Sequence, residues 1–433
     1  MKVAFATLGC RVNAYETEAM MEKFLREGYE IVDFNEIADV YVINTCSVTN
    51  MGDKKSRQMI SRGKRQNPDS IIAAVGCYSQ IATEEVGNIE GVDVVLGTRN
   101  KGEIIYWINK AKETGEKQIQ VGEVLKNKVF EDLKIEDYQD KTRAFLKIQD
   151  GCNRFCAYCL IPYARGAVCS KEPEKVISEI KALAENGFKE IILSGIHIAS
   201  YGADLDKKIN LVDILEEIEK IEGIERVRIG SIDPTFFTEE VVKKIVNFKK
   251  LCPHFHLSLQ SGANATLKRM NRRYTKEEYE AIVCFLRNNF KDVSITTDVI
   301  VGFPGETKEE FEETYEFLKK IKLSKMHIFK YSPRKGTKAA EMKNQVDGIV
   351  KDERSKLLIK LNEENEKEFT ERILDKEVEV LIEKKFNEDS YEGYTENYIR
   401  VIAKSHCLDV VGKILRVKIT SAGNEEAYGE ILI

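Results

Sequence analysis

The chain has 433 residues, 67 basic and 72 acidic side chains, a net charge of −5 and a mean hydropathy of −0.35. At ~150 residues per domain that length predicts two to three domains, and 42% hydrophobic residues suffice for packed cores, which excludes disorder as the main theme. No apolar run approaches the ~18 residues of a membrane span, and Met1 to Arg11 lacks the apolar core and cleavage site of a signal peptide, so a cytoplasmic protein is expected. Ten cysteines in a reducing compartment are not a disulfide scaffold, and their positions carry the argument.

Three apolar runs in the first hundred residues end alike. Lys2–Leu8 runs into Gly9-Cys10, Val40–Asn44 into Thr45-Cys46, and Ile71–Val75 into Gly76-Cys77. Helix-like stretches lie between them, such as Glu16–Glu27 closed by Gly28. Short continuous apolar strands alternating with helices predict a parallel α/β sheet of Rossmann- or flavodoxin-like type. Ligands collect at the carboxyl ends of such strands, so Cys10, Cys46 and Cys77 are expected along one edge. Residues 100–142 are charged and weakly periodic and read as a connector.

Strand-like segments then recur at Ala144–Gln149, Glu190–Ser194, Arg226–Ser231, Phe255–Gln260, Ser294–Val301 and Met326–Tyr331. Helical stretches separate them, including Glu174–Asn186 and Thr307–Lys320, which opens on the capping box Thr307-x-x-Glu310. Six such units predict an incomplete, six-fold version of the eight-fold β/α barrel. Residues 351–371 read as one long charged helix leading out of it. Beyond it, Glu377–Ile382 and Lys413–Ile419 approach a period of two and glycines punctuate the sequence, which predicts a small all-β barrel. The expected division is 1–115, a linker 116–141, 142–370 and 371–433.

Cys152, Cys156 and Cys159 place three thiols in eight residues directly after the first barrel strand. A chance C-x3-C-x2-C is expected roughly 0.005 times at this cysteine frequency. Iron–sulfur clusters take thiolate ligands, usually four for a [4Fe–4S] cluster, so three leave one iron open for a substrate. The alternatives are a zinc site or buried structural thiols. Zinc normally shows paired C-x2-C units or a nearby His ligand, and neither is present.

This spacing at the end of the first strand of a partial β/α barrel resembles the radical S-adenosylmethionine (SAM) superfamily. The resemblance implies that the open iron holds the methionine part of SAM, whose reductive cleavage gives a 5′-deoxyadenosyl radical. Tyr158 matches the family position beside the SAM adenine, and the strand ends at Ser194-Gly195 and Ile300-Val301-Gly302 correspond to further SAM-binding stretches. An N-terminal unit with three strand-end cysteines, this barrel and a terminal β barrel together resemble the methylthiotransferases over essentially the whole chain. That implies a second [4Fe–4S] cluster on Cys10, Cys46 and Cys77 for sulfur insertion, and a terminal barrel like the RNA-binding TRAM domain.

Within the family, subgroups modify isopentenyladenosine in tRNA, threonylcarbamoyladenosine in tRNA, or an aspartate of a ribosomal protein. The first usually begin with a GCQMN-like motif and the last with GCPKN. Gly9-Cys10-Arg11-Val12-Asn13 here looks like the threonylcarbamoyladenosine group. The expected reaction adds a methylthio group to carbon 2 of that base next to the anticodon, with an electron donor of flavodoxin or ferredoxin type and an unidentified sulfur source. An iron–sulfur RNA-binding regulator without catalysis is the reading from another class.

Arg334 and Lys335 are candidates for the substrate, Arg334 for the threonyl carboxylate, with His256 and Gln260 as further contacts. Two basic clusters suit phosphate contact: Lys54, Lys55, Arg57, Arg62, Lys64 and Arg65, and then Lys268, Arg269, Arg272 and Arg273. From residue 371 there are nine basic and thirteen acidic residues, so RNA contact there needs a local face such as Lys413, Arg416 and Lys418. Cys284 reads as a packing residue, Cys252 and Cys407 have no thiol nearby in sequence, and Cys169 lies close to the barrel thiols. His254 and His256 share a strand face, and His197 follows a strand end. Lys171 stands where relatives carry an arginine.

Overall fold

The computed structural model describes residues 1–126, 128–135, 142–405 and 409–432; Cys407 and residues 136–141 of the expected linker lie outside them. The N-terminal strands β1 (Lys2–Thr7), β2 (Glu30–Val32), β3 (Val40–Thr45), β4 (Ile71–Gly76), β5 (Val94–Leu96) and β6 (Gln118–Gln120) form one parallel sheet in the order β2-β1-β3-β4-β5-β6. Because β1, β3 and β4 are neighbours, ~4.8 Å apart, their carboxyl ends stand side by side with the cysteines that follow them. Strand β6 and the helix Ile104–Thr114 both come from the stretch read as a connector. The strand is three residues at a sheet edge, too short for periodicity to show. The first helix runs Arg11–Arg26 and starts before Glu16, because its first two turns bury the polar Asn13 and Glu16 where an apolar stripe was sought.

The second unit opens on β7 (Arg143–Lys147), followed by a two-residue antiparallel pair, β8 (Gln149–Asp150) with β9 (Cys169–Ser170). That pair pins both ends of the loop holding Cys152, Cys156 and Cys159. Strands β10 (Glu190–Ser194), β11 (Arg226–Ile229), β12 (His254–His256), β13 (Ser294–Val301) and β14 (Lys325–Lys330) complete a parallel six-stranded partial barrel. The triplets β7-β10-β11 and β12-β13-β14 meet through the parallel bridges Val227–Leu251 and Ile232–Leu257. Leu146, Ile191, Leu193, Ile229, Phe255 and Ile295 are among the side chains of its core. The capping box at Thr307 forms as expected and starts the helix Lys308–Ile321.

The helix Gly348–Glu371 packs along β14 and carries Phe369 into the next core. There β15 (Glu377–Lys385), β16 (Ser390–Thr395), β17 (Arg400–Lys404), β18 (Ile414–Ala422) and β19 (Glu426–Ile431) close a barrel in the order β15-β16-β17-β19-β18. Cys284 is exposed on the helix Lys276–Asn289, not packed as expected. No helix among the described residues is long and apolar enough to cross a membrane.

Candidate active site at the junction of three units

The carboxyl ends of the partial-barrel strands open into a cavity of about 690 Å³. Cys152, Cys156 and Cys159 line it from the barrel, Cys10, Arg11 and Val48 from the N-terminal sheet, and Tyr394, Tyr398 and Arg400 from the terminal barrel. All three units therefore contribute walls.

Two glycines shape the N-terminal edge. Gly9 (φ +100°) and Gly76 (φ +98°) have left-handed backbones, and a Cβ would lie 2.7 Å from Cys46 Sγ at Gly9 and 2.5 Å from Asn44 Oδ1 at Gly76. Asn13 Nδ2 donates to the carbonyls of Leu8 at 2.7 Å and Thr45 at 3.0 Å, tying the two strand ends together. Cys10 is exposed toward the cavity, while Cys46 and Cys77 are buried behind it. Burial first, then the neighbouring Cys77 and Cys10 against a lowering Val48 amide, pushes the Cys46 thiol up to about 11. Burial likewise raises Cys77, with Arg165 opposing.

In the barrel loop, burial and then the other two thiols push Cys159 up to about 12, and Cys152 is also raised, mainly by burial. The Arg154 amide donates to Cys152 Sγ at 3.4 Å, and Arg272 Nη1 donates to Cys156 Sγ at 3.4 Å. Donors aimed at sulfur are the surroundings that iron–sulfur thiolates need. All these cysteines are free thiols whose protons a metal would displace. The donor set of each trio fits a cluster with three protein ligands. Among the described residues no three His, Cys, Asp or Glu side chains are gathered on one point.

Tyr158 lines the cavity and meets Phe303 edge-on at 6.3 Å. Ser194 and Gly195 line it too, and the buried Ser194 hydroxyl has no hydrogen-bond partner among the described residues. Ile300 packs in the apolar cluster behind Tyr158, and the Gly302 amide donates to Glu306 Oε1 at 2.9 Å; neither is in the cavity wall. His254, His256 and His197 are all in the wall. His256 Nδ1 is 2.9 Å from Thr296 Oγ1, and His197 Nε2 accepts from Arg154 at 3.1 Å. Gln260 is buried, with its backbone paired to β13, outside the wall.

Several expectations are corrected. Arg334 is 4% exposed, and its guanidinium donates to Asn50, Ser47 and Asp53 of the N-terminal unit, so it docks two units and does not hold a substrate carboxylate. Lys335 is exposed outside the wall. Arg272 faces the cavity and Arg269 pairs with Glu310, so the second basic cluster is not one RNA-facing patch. Lys171 is buried and ion-paired to Glu179 and Asp132. Cys169 is fully buried in β9.

The sequence missed Asp233, Tyr398 and Arg165. Burial raises the Asp233 carboxyl, but His197, Thr235 and the arginines Arg272 and Arg154 outweigh it and hold the group well below the usual range. Its place just beyond β11 was the available signal. Tyr398, at a left-handed turn (φ +70°), stacks between His254 at 4.7 Å and Tyr394 at 5.0 Å. Behind Cys77, Glu16 lies within 3.0 Å of Lys147, Lys101 and Arg165, all fully buried. Lys147 and Arg165 also reach Asp150 at 2.6 and 3.2 Å.

A parallel partial barrel with three thiols after its first strand defines a radical-SAM enzyme, and residues 146–318 match the Radical SAM superfamily. Residues 2–97 match the Uncharacterized protein family UPF0004. The fold is shared with the radical S-adenosylmethionine methyltransferase TsrM from Kitasatospora setae, with a TM-score of 0.56 and 15% identity over 78% of this chain and 77% of that one. The chain is 46% identical to the threonylcarbamoyladenosine tRNA methylthiotransferase MtaB of Bacillus subtilis (strain 168), over 99% of this chain and 96% of that protein. It is 36% identical to the tRNA-2-methylthio-N(6)-dimethylallyladenosine synthase of Clostridium tetani (strain Massachusetts / E88), over 98% and 95%. The chain belongs to the radical-SAM methylthiotransferase family, which uses SAM and [4Fe–4S] clusters.

Proposed function

We propose that this enzyme adds a methylthio group to carbon 2 of N6-threonylcarbamoyladenosine in tRNA, next to the anticodon. The observation that carries the reading is one cavity walled by both cysteine-bearing edges, Cys10 from the sheet and Cys152, Cys156 and Cys159 from the barrel. The two full-length similarities favour the threonylcarbamoyl base, at 46% identity against 36% for a dimethylallyl relative.

We assign the radical-generating cluster to Cys152, Cys156 and Cys159, and the sulfur-insertion cluster to Cys10, Cys46 and Cys77. When bound, the first cluster and SAM supply a carbon radical that removes hydrogen from a C–H bond no side-chain base could deprotonate. The chain's own residues hold and orient. Tyr158 offers an apolar face, and Ser194 and Gly195 offer polar atoms for SAM. Arg272 and Arg154 supply donors at the sulfur edge. Asp233 stays ionised and fixes Arg154, Arg272 and His197 around the base. The base must leave its stack to enter such a cavity.

The exposed Lys54, Lys55, Arg62 and Arg65 on the helix Asn50–Gln66 are assigned to tRNA phosphates. The sheet, barrel and terminal β barrel are assigned as separate domains, at 1–115, 142–370 and 371–433, joined by 116–141. An electron donor of flavodoxin or ferredoxin type, an unidentified sulfur source and a cytoplasmic location complete the reading. The test is mass analysis of tRNA nucleosides from cells with and without the gene. Loss of only 2-methylthio-N6-threonylcarbamoyladenosine supports the assignment, and loss of only the isopentenyl product overturns it. SAM cleavage under reducing conditions excludes a regulator without catalysis.

A further inference from the structure

We infer that Arg11 is the specificity-determining residue of this site, holding the carboxylate of the substrate's N6 arm. The inference rests on the proposed function, which supplies an adenosine whose arm ends in a carboxylate.

Five cationic side chains line the cavity: Arg11, Arg154, Arg272, Lys325 and Arg400. Four face acids. Arg154 and Arg272 stand 3.8 and 4.0 Å from Asp233, Lys325 pairs with Glu366 at 2.5 Å, and Arg400 pairs with Glu392 at 3.0 Å and with Glu426. Arg11 has no carboxylate within 4.0 Å among the described residues. Its Nη2 donates to the Tyr398 hydroxyl at 3.3 Å, and its guanidinium lies 5.7 Å from the Phe145 ring centre. One of its five N–H donors is therefore committed to Tyr398, and the side chain is exposed.

The surroundings favour an anion at this corner. Arg143 and Arg228 also lie 5.4 and 4.6 Å from the Tyr398 ring centre, but Arg143 pairs with Glu383 and Arg228 with Glu190, so Arg11 brings the uncompensated charge to this corner. Burial raises the Tyr398 phenol, but Arg143 and Arg11 outweigh it and leave it below its ordinary value. Tyr398 stacks on both His254 and Tyr394, which positions its hydroxyl beside the guanidinium. Arg11 also follows Cys10 directly, placing the anion site one residue from the thiol that faces the cavity. A planar guanidinium matches a carboxylate through two parallel charge-assisted hydrogen bonds, and a neutral arm leaves those donors without a partner.

The test uses the cluster-loaded enzyme with two anticodon stem-loops: one carrying N6-threonylcarbamoyladenosine, the other its methyl ester, which keeps the shape and removes the charge. The wild type should prefer the acid by about 10- to 100-fold in kcat/KM, the range of one charge-assisted pair. Arg11→Gln should bring that preference close to one, and Arg11→Lys should keep part of it. Fluorescence anisotropy of both stem-loops without SAM measures the same preference as a ratio of Kd values, so a variant too slow to assay is still read. A preference unchanged in Arg11→Gln overturns the inference. Equal losses on acid and ester also overturn it, because Arg11 would then hold a backbone phosphate. A wild type that modifies isopentenyl tRNA and not threonylcarbamoyl tRNA instead overturns the substrate reading itself.

Discussion

Replacing Glu16 by Gln tests whether the buried ion cluster between the N-terminal sheet and the barrel holds these units together. The Glu16 carboxylate takes Lys147 at 2.7 Å, Arg165 at 2.8 Å and Lys101 at 3.0 Å, and all four side chains are fully buried. Burial disfavours its charge, yet Arg165, Lys101 and Lys147 together hold its pKa well below 4.5. The substitution leaves three buried cations facing Asp150 and a Glu131 whose carboxyl burial pushes up. Removing one partner of a buried pair costs about 3–5 kcal/mol, a large share of a typical ~5–15 kcal/mol stability. At ~2.1 cal/mol/K of unfolding entropy per residue over 433 residues, 1 kcal/mol is worth about 1 °C, so the melting temperature at pH 7 should fall by about 3–5 °C. Circular dichroism of anaerobic, cluster-loaded enzyme measures it. Adding Lys101→Met to Glu16→Gln removes one excess cation and should restore part of the loss. Because the folded-state pKa of Glu16 is depressed, its contribution is complete above the unfolded value near 4.5 and is lost as pH falls toward the folded one. The gap between wild type and Glu16→Gln should therefore be full at neutral pH and close in acid. A fall below about 2 °C, or a gap that does not narrow in acid, refutes the reasoning.

Replacing Cys10, Cys46 and Cys77 together by Ala should lower iron from about eight to about four per chain and abolish methylthio product, while 5′-deoxyadenosine still forms from SAM and dithionite; unchanged iron at four in both proteins would remove the second cluster. Cys152→Ala should stop SAM cleavage, and cleavage that persists would remove the barrel loop from that role. Arg272→Gln removes a cation and a donor from Cys156 Sγ, so the midpoint potential in an EPR-monitored titration should become more negative by about 50 mV, and an unmoved potential counts against that contact. Arg334→Lys should loosen the docking of the N-terminal unit and leave the preference for acid over ester stem-loop intact, whereas a lost preference would return Arg334 to the substrate.

What the sequence made legible follows from what is local. A strand that ends on Gly-Cys states where its thiol stands relative to the sheet, and a parallel sheet lines such ends up, so Cys10, Cys46 and Cys77 could be placed together before any pairing was known. Arg334 was placed wrongly because its partner Asp53 lies 281 residues away, and no spacing rule links a cation to an acid on another unit. Cys284 shows the limit within one helix. The buried stripe runs Tyr279, Val283, Leu286, and Cys284 lies ~100° around the axis from Val283, on the wet side.

The terminal barrel is the larger lesson. Asked as a question of charge, its acid excess weakened an RNA role, and the cations singled out there lie beside acceptors on the exposed surface: Lys413 by Asp409, Arg416 by Glu377, Lys418 by the Asp375 carbonyl. Its contribution lies at the opposite end of the chain's logic. Arg228 of β11 donates to the carbonyls of Thr395 and Glu396 at 2.7 and 2.6 Å, fixing the turn that carries Tyr398 against His254 and Arg11. A module expected to grip RNA from outside thus finishes the wall beside Cys10. It follows that removing residues 371–433 should cost the cavity its shape even where both cysteine trios remain. The two cysteine-bearing edges come from the sheet and the barrel, but the cation between them is oriented by the third unit.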